Sequence, residues 1–451
     1  MKKFLALLLA LVMVFALAAC GEGETTATPT PGSQSEEPSG DGEVTGDPVT
    51  IEMWPFNIGA FTDAAAWDEI IAAFNEEYPN ITVVVNPVNY QDGDQRLTTA
   101  ITSHEAPDIV FEGPERLIGT YAREGLLVDL GDLWDDGAAD IADGVRNVSQ
   151  LDGTYYMYPL SLATHCMAIN YEVFEAADAL KYIDDETRTW TTDDFVAAMA
   201  AVRDAAAAGT VNVATPGIIY CGAQGGDQGT RALVNNLYSD YFVTEDGSSY
   251  NANSANNVKA LELLQSMVAD GSLSANASFQ ASDELQAFAN QTCAVTFCWN
   301  YSNYNQYASQ TQFTPYAVAF PSDDGTPELE MAGPYGFCVF DNGDDARAEA
   351  AKTFIKFVCD DAETGVLAAQ TTGFFPVHAD WGDIYADAED ADIRAPFSLM
   401  GNYVGRYYNL TGGWTEQRAL WWPLLTDIML NGADVQTAAD AYVEAANANI
   451  G

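Results

Sequence analysis

The folded part of the chain opens on alternation. Residues 48–53 (PVTIEM) alternate apolar and polar positions and are rich in β-branched side chains, so they predict a strand, with Trp54-Pro55-Phe56 as the loop beyond it. Trp67, Ile70, Ile71 and Phe74 then recur at helical spacing across 64–78, and Pro79-Asn80 stops that helix. A strand at 81–85, a helix at 94–103, a strand at 107–111 (PDIVF) and a helix at 116–124 follow, with 126–130 extended or turning. Strands alternating with helices of this length predict an α/β protein with a parallel or mixed sheet.

The pattern continues with two extended pieces around Pro159 in 155–170. A helix is expected over 191–208, with Thr192 and Asp193 as cap candidates and Gly209 beyond its end. Further helices are expected at 257–269 and 281–289, a β-rich run at 292–299, strands at 316–320 and 336–340, and an amphipathic helix at 346–359. The tail from Trp414 reads as mostly helical, and no internal repeat is visible.

The first residues follow another logic. Lys2 and Lys3 precede an apolar run from Phe4 to Ala16, and Leu17-Ala18-Ala19-Cys20 follows it directly. This is the layout of a secretory signal. The L-A-A-C order resembles a bacterial lipobox, which makes 1–19 a lipoprotein signal peptide and Cys20 the lipidated mature N-terminus. The plainer alternative is an ordinary signal with a chance cysteine. Residues 20–48 are then a tether: Gly, Ser, Thr, Pro and Glu dominate it, and such a segment buries too little apolar surface to fold. As a random coil it spans on the order of 30 Å. The expected location is the outer face of the cytoplasmic membrane, held by acyl chains rather than by a span.

Charge narrows the partners. With 17 basic and 66 acidic side chains the formal net charge is −49, which repels phosphate backbones and excludes a nucleic-acid partner. The seven cysteines include no C-x-x-C pair, and the three histidines form no H-E-x-x-H, so a transition-metal site lacks its spacing. Cys166, Cys298 and Cys338 sit in apolar, strand-like runs, so they read as free buried thiols rather than disulfide partners. Asp341-Asn342-Gly343-Asp344-Asp345 is acidic enough for Ca²⁺, although an acidic turn explains it as well.

Several stretches, taken in order, resemble one family. They are IEMWPF at 51–56, Phe74-x-x-x-Tyr78-Pro79-x-Ile81-x-Val83, Ala106-Pro107-Asp108-Ile109-Val110-Phe111, and Tyr121-x-x-Glu124-Gly125-Leu126-Leu127-x-Asp129-Leu130. Later come Asp152-Gly153-x-x-Tyr156-x-x-Pro159, Thr189-Trp190-Thr191-x-x-Asp194-Phe195, the Trp-ended run 293–300, Gly333-x-x-Gly336 and Gly373-Phe374-Phe375-Pro376-Val377. Together they resemble the bacterial extracellular solute-binding proteins of ABC importers, of the carbohydrate-binding, maltose-binding-protein-like type. The resemblance covers nearly everything after residue 48. It implies two α/β lobes, each a mixed sheet flanked by helices, joined by a hinge. One lobe would be 49–159 plus 314–366 and the other 160–313 plus 367–451. It also implies hinge closure on a sugar, delivery to permease subunits, a monomer, no cofactor and no catalysis. A polyamine or peptide carrier of the same fold, or a tethered glycoside hydrolase, are the alternatives.

A neutral sugar offers hydroxyls to carboxylates and amides, and C–H faces to aromatic rings. On that chemistry and the family positions, the expected ligand contacts are Trp54, Glu112, Trp299, Asn300, Tyr301, Tyr335, Phe374 and Trp414. Trp299 is the expected aromatic platform. The Gly-rich run 224–231 is a further cleft-loop candidate, and it lacks the lysine of a phosphate loop. Arg406 among Tyr403, Tyr407 and Tyr408 is a stacking cluster.

Overall fold

The computed structural model describes residues 46–90, 93–222, 227–244, 246–329, 333–403 and 410–450. Cys20, nearly all of the tether, residues 224–226 of the Gly-rich run, and Arg406 with Tyr407 and Tyr408 lie outside the described residues. The described strands are β1 (Val49–Pro55), β2 (Ile81–Val85), β3 (Ile109–Glu112), β4 (Gln150–Leu151), β5 (Thr154–Tyr155), β6 (Tyr158–Leu162) and β7 (Cys166–Asn170). They continue with β8 (Ile218–Tyr220), β9 (Ser274–Asn276), β10 (Val295–Trp299), β11 (Pro315–Val318), β12 (Tyr335–Val339) and β13 (Phe375–Pro376).

The larger sheet has the order β13-β6-β12-β3-β1-β2. β1 runs parallel to β2 and β3, whereas β12 is antiparallel to both β3 and β6 and separates them. On β1, buried Ile51, Met53 and Pro55 alternate with half-buried Glu52 and Trp54, the two-residue period of a strand with one face on a core. All four residues of β3 are buried, so it lies at the centre of the sheet with protein on both faces. Beneath it, Trp67 stacks on Phe61 at 3.8 Å and meets the edges of Phe111 and Phe337. Asp108, almost wholly buried, accepts the Glu52 amide at 2.8 Å and an Arg347 Nη2–H at 2.6 Å. That ion pair ties β1 to the helix Asp345–Asp360. A carboxylate so buried requires such a partner.

The second sheet is antiparallel, β10-β7-β11, with every residue of β7 buried. Its register shifts between Thr296 and Trp299. The fully buried Glu284 sits at that irregularity, where Oε2 accepts the Thr296 hydroxyl at 2.7 Å and Oε1 the Phe297 amide at 3.1 Å. Burial pushes its carboxyl up to about 8, against the pull of those two donors. The helix Asp227–Leu237 lies directly on β10: a Cβ at Gly229 would stand 2.2 Å from the Phe297 carbonyl oxygen. The helix Thr192–Ala207 is capped by Thr191 with Asp194 in a reciprocal box, one residue before the expected Thr192.

Each sheet has its own hydrophobic core, and the chain crosses between them three times. The first core holds 51–163 and 337–377 and the second holds 166–329 and 397–446, each with interruptions. The expected lobe boundaries therefore shift. β6, reaching Leu162, belongs to the first sheet, and β11 at 315–318 pairs with β7 in the second rather than joining the first. Phe374 and Val377 still pack in the first core, beyond the expected break at 366. In each case the pairing of a whole strand, which a local pattern does not encode, decides the side.

Cys166, Cys221, Cys293, Cys298, Cys338 and Cys359 are all free and buried. No group of three metal-ligating side chains occurs among the described residues. The acidic run 341–345 is a turn and a cap: Asp341 accepts the Gly343 amide and Asp344 caps the following helix. No described helix is long and apolar enough to cross a membrane.

Candidate ligand-binding site

β3 ends in Glu112, and Pro114 then starts a short helix whose Arg116 lies one turn further on. Arg116 Nη1 donates to Glu112 Oε1 at 2.9 Å, while its Nε and Nη2 grip Asp94 at 2.7 and 3.2 Å. Glu112 is 1 % exposed, and its Oε2 is buried without a hydrogen-bond partner. Burial pushes this carboxyl up to about 8 although Arg116 pulls the other way, and the neighbouring Glu115 reinforces the rise.

Two tyrosines face the same carboxyl. Tyr90 keeps 44 % of its surface exposed, yet desolvation followed by Glu112 drives its hydroxyl well above the ordinary tyrosine range. The Tyr90 ring lies under Arg116 at 5.3 Å and meets Phe56 at 5.4 Å, so these side chains form one wall of a candidate recess beside Glu112. Tyr335, half-buried at the start of β12, is shifted the same way by the same two causes, in the same order. It sits beside Glu112 because Gly336 pairs with Glu112, and no larger residue fits there: a Cβ at Gly336 would lie 2.5 Å from the Tyr158 carbonyl oxygen. Phe374 stacks on Tyr335 at 5.4 Å and 18°. The turn that delivers Phe374 is made by Gly373 at φ +76°, which ends the helix Ala362–Thr372.

The structure thus brings together Glu112, Tyr335 and Phe374 of the expected residues. It adds Tyr90, Asp94 and Arg116. Tyr90 was visible only as a lone aromatic in a polar run; Asp94 and Arg116 carried no signal among so many charges. Trp54 stands on β1 itself, not beyond it; its Nε1 donates to Glu52 at 2.7 Å and Arg96 lies over its half-buried ring at 4.9 Å.

The expected residues of the second lobe fall elsewhere. Trp299 is completely buried, packed edge-on against Phe288 at 5.6 Å, so here it is a core anchor and not an open platform. All five residues of β10 are buried, so both of its faces are covered. Asn300 is 8 % exposed and caps the helix Tyr301–Tyr307, its Oδ1 accepting the Asn303 amide at 2.9 Å. Tyr301 is buried; its hydroxyl donates to Asp390 and its ring carries Arg394 at 3.8 Å. Trp414 is 8 % exposed under Arg418 at 4.5 Å.

Tyr301 nevertheless reaches the recess indirectly. Arg394 is sandwiched between the Tyr301 and Tyr385 rings and donates to Asp390 at 3.0 Å, and the Tyr385 hydroxyl donates to the Phe374 carbonyl at 2.6 Å. Phe374 packs in the first core and Tyr301 in the second, so this chain of contacts spans the last crossing. Aromatic faces beside a buried carboxyl suit a small polar molecule with apolar C–H faces.

Known folds agree with this arrangement. The chain aligns with the cyclic α-maltosyl-1,6-maltose binding protein of Arthrobacter globiformis at a TM-score of 0.70 and 21 % identity, covering 89 % of this chain and 98 % of that one. The sugar-binding protein MalE of Xanthomonas citri gives 0.70 and 17 %, covering 88 % and 96 %. The substrate-binding protein Lmo0181 of Listeria monocytogenes, solved with cycloalternan, gives 0.68 and 19 %, covering 89 % and 99 %. At such identities the likeness shows the shared α/β fold of these periplasmic-type binding proteins. No curated protein matches the chain in sequence. The family model described as bacterial extracellular solute-binding protein matches residues 69–392, well over half of the chain. The chain is a member of the bacterial extracellular solute-binding protein family.

Proposed function

We propose that this chain is the substrate-binding lipoprotein of an ABC importer, capturing a sugar or oligosaccharide between its lobes and delivering it to a membrane permease. Its family is one of carriers and not of enzymes. The observation that carries the sugar reading is the Tyr335–Phe374 stack beside the buried Glu112 carboxyl, which Tyr90 also faces. Rings cover the C–H faces of a pyranose, and the carboxyl takes a hydroxyl that the rings orient. Three structural relatives support the reading by what their names state: a cyclic α-maltosyl-maltose binder, a MalE, and a protein solved with cycloalternan. The lipobox at Cys20 and the tether to residue 48 supply the anchor, and the three chain crossings supply a hinge.

The test is a thermal melt of residues 46–451 against mono- and oligosaccharides, polyamines and short peptides. A ligand at about 100 times its Kd adds roughly 2.7 kcal/mol of stability, which a melt resolves. A shift with one sugar class, roughly halved in Tyr335→Ala, supports the proposal. A shift with polyamines or peptides alone retains the carrier and overturns the sugar.

A further inference from the structure

The charges around the recess say more about its ligand than its rings do. Arg116 is only 13 % exposed, and each of its three nitrogens has a carboxylate partner. Asp94 takes the Nε–Nη2 edge in a two-bond fork at 2.7 and 3.2 Å, Glu112 takes Nη1 at 2.9 Å, and Glu115 approaches to 3.9 Å. Its planar face is covered as well, with Phe56 at 5.1 Å and Tyr90 at 5.3 Å. A guanidinium binds an anion through an in-plane edge, and here the Nε–Nη2 edge is occupied by the protein's own carboxylate.

We propose that Asp94 is a charge lock: by consuming the Arg116 fork it makes the recess select uncharged polyhydroxyl ligands and reject those bearing a carboxylate or phosphate. The inference rests on the recess being the sugar site proposed above. With the Glu112 carboxyl holding its proton, Asp94 and Glu115 still outnumber Arg116, so an anionic ligand meets net repulsion that a neutral one does not. Arg96 does not change the balance. It lies over Trp54, whose indole N–H donates to Glu52, so that corner carries a carboxylate of its own. Asp94 itself is 60 % exposed, so its amide variant removes the lock without opening a core.

The experiment measures Kd by calorimetry at low and high salt for wild type, Asp94→Asn and Asp94→Glu. The probes are maltotriose, cellotriose and xylotriose, set against trigalacturonate and glucose 6-phosphate. Wild type is expected to bind a neutral probe and to bind every acidic probe at least ~30-fold more weakly, because like charges brought together in a binding site are costly. Asp94→Asn is expected to narrow that gap by about tenfold, most at low salt, and Asp94→Glu to preserve it. Acidic probes binding wild type within about threefold of the best neutral one overturn the lock and leave the sugar carrier standing. An unchanged gap in Asp94→Asn does the same. Binding of no probe at all, neutral or acidic, overturns the sugar reading, and the lock falls with it.

Discussion

Replacing Glu284 with Gln is expected to flatten the pH dependence of stability between about pH 5 and 8. This carboxyl is completely buried behind β10 and is pushed from 4.5 up to about 8 by that burial. The folded state therefore holds a proton that the unfolded chain has released. The stability it contributes is fully present below about pH 4.5 and is lost as pH rises through about 8. The window is 8 − 4.5, or about 3.5 units, and at 1.36 kcal/mol per unit its ceiling is about 5 kcal/mol. Within the window the slope for one such group is about 1.4 kcal/mol per pH unit. Glu112 is pushed to the same value, so wild type should lose stability about twice as steeply as Glu284→Gln. The amide keeps an oxygen for the Phe297 N–H, and its NH₂ meets the Thr296 hydroxyl as a donor, so the irregular strand stays satisfied. Urea denaturation at half-unit pH steps gives the two curves, with a constant m-value as the check on the unfolded state. If the curves of wild type and Glu284→Gln run parallel from pH 5 to 8, the carboxyl does not titrate there and the reasoning fails. Asp140 and Asp390 are held below the usual carboxylate range by hydrogen-bonding partners, despite opposing burial, so their stabilisation is lost only as pH falls through the acid range.

Other outcomes follow from the packing. Trp299→Ala should cost about 3–5 kcal/mol of stability, the range for emptying a buried aromatic site, and a melt unchanged by the substitution would contradict its place in the core. Gly229→Ala should destabilise the second lobe by about 1–3 kcal/mol, because its Cβ would stand 2.2 Å from backbone that cannot rotate away; an equal urea midpoint would refute the close approach. The six thiols from Cys166 to Cys359 should stay silent to an aromatic disulfide reagent in native buffer and all react in urea, read by absorbance. Tyr335→Ala should weaken sugar affinity by about tenfold with little change in the far-ultraviolet spectrum, since the ring is half-buried and stacks on Phe374 rather than filling a core.

Local order was largely legible from the sequence. β2 at 81–85 and the helix at 281–289 fall where their periodicity places them, and the helices near 191–208 and 346–359 agree to within a residue or so at each end. The helices Asp227–Leu237 and Ala391–Met400 were not expected: the first lies in a Gly- and Asn-rich stretch and the second contains Pro396, and tertiary packing overrides both propensities. At the site, Glu112, Tyr335 and Phe374 were reachable because each follows a strand end or a Gly turn. Trp299 lies on a strand buried on both faces, and an apolar run such as VTFCW does not say which of its rings will be covered. Asp94 and Arg116 lie 22 positions apart and meet only through the fold.

The position of β12 in the larger sheet sets a timetable for synthesis. It is the strand that joins β3 to β6, yet it is made after the entire second sheet. A nascent chain that has emerged only through β11 holds two separate fragments of the first sheet, β2-β1-β3 and β6, with no partner for the open edges between them. Closure waits for residue 339, so the cooperative burial of Phe111 against Phe337 comes late.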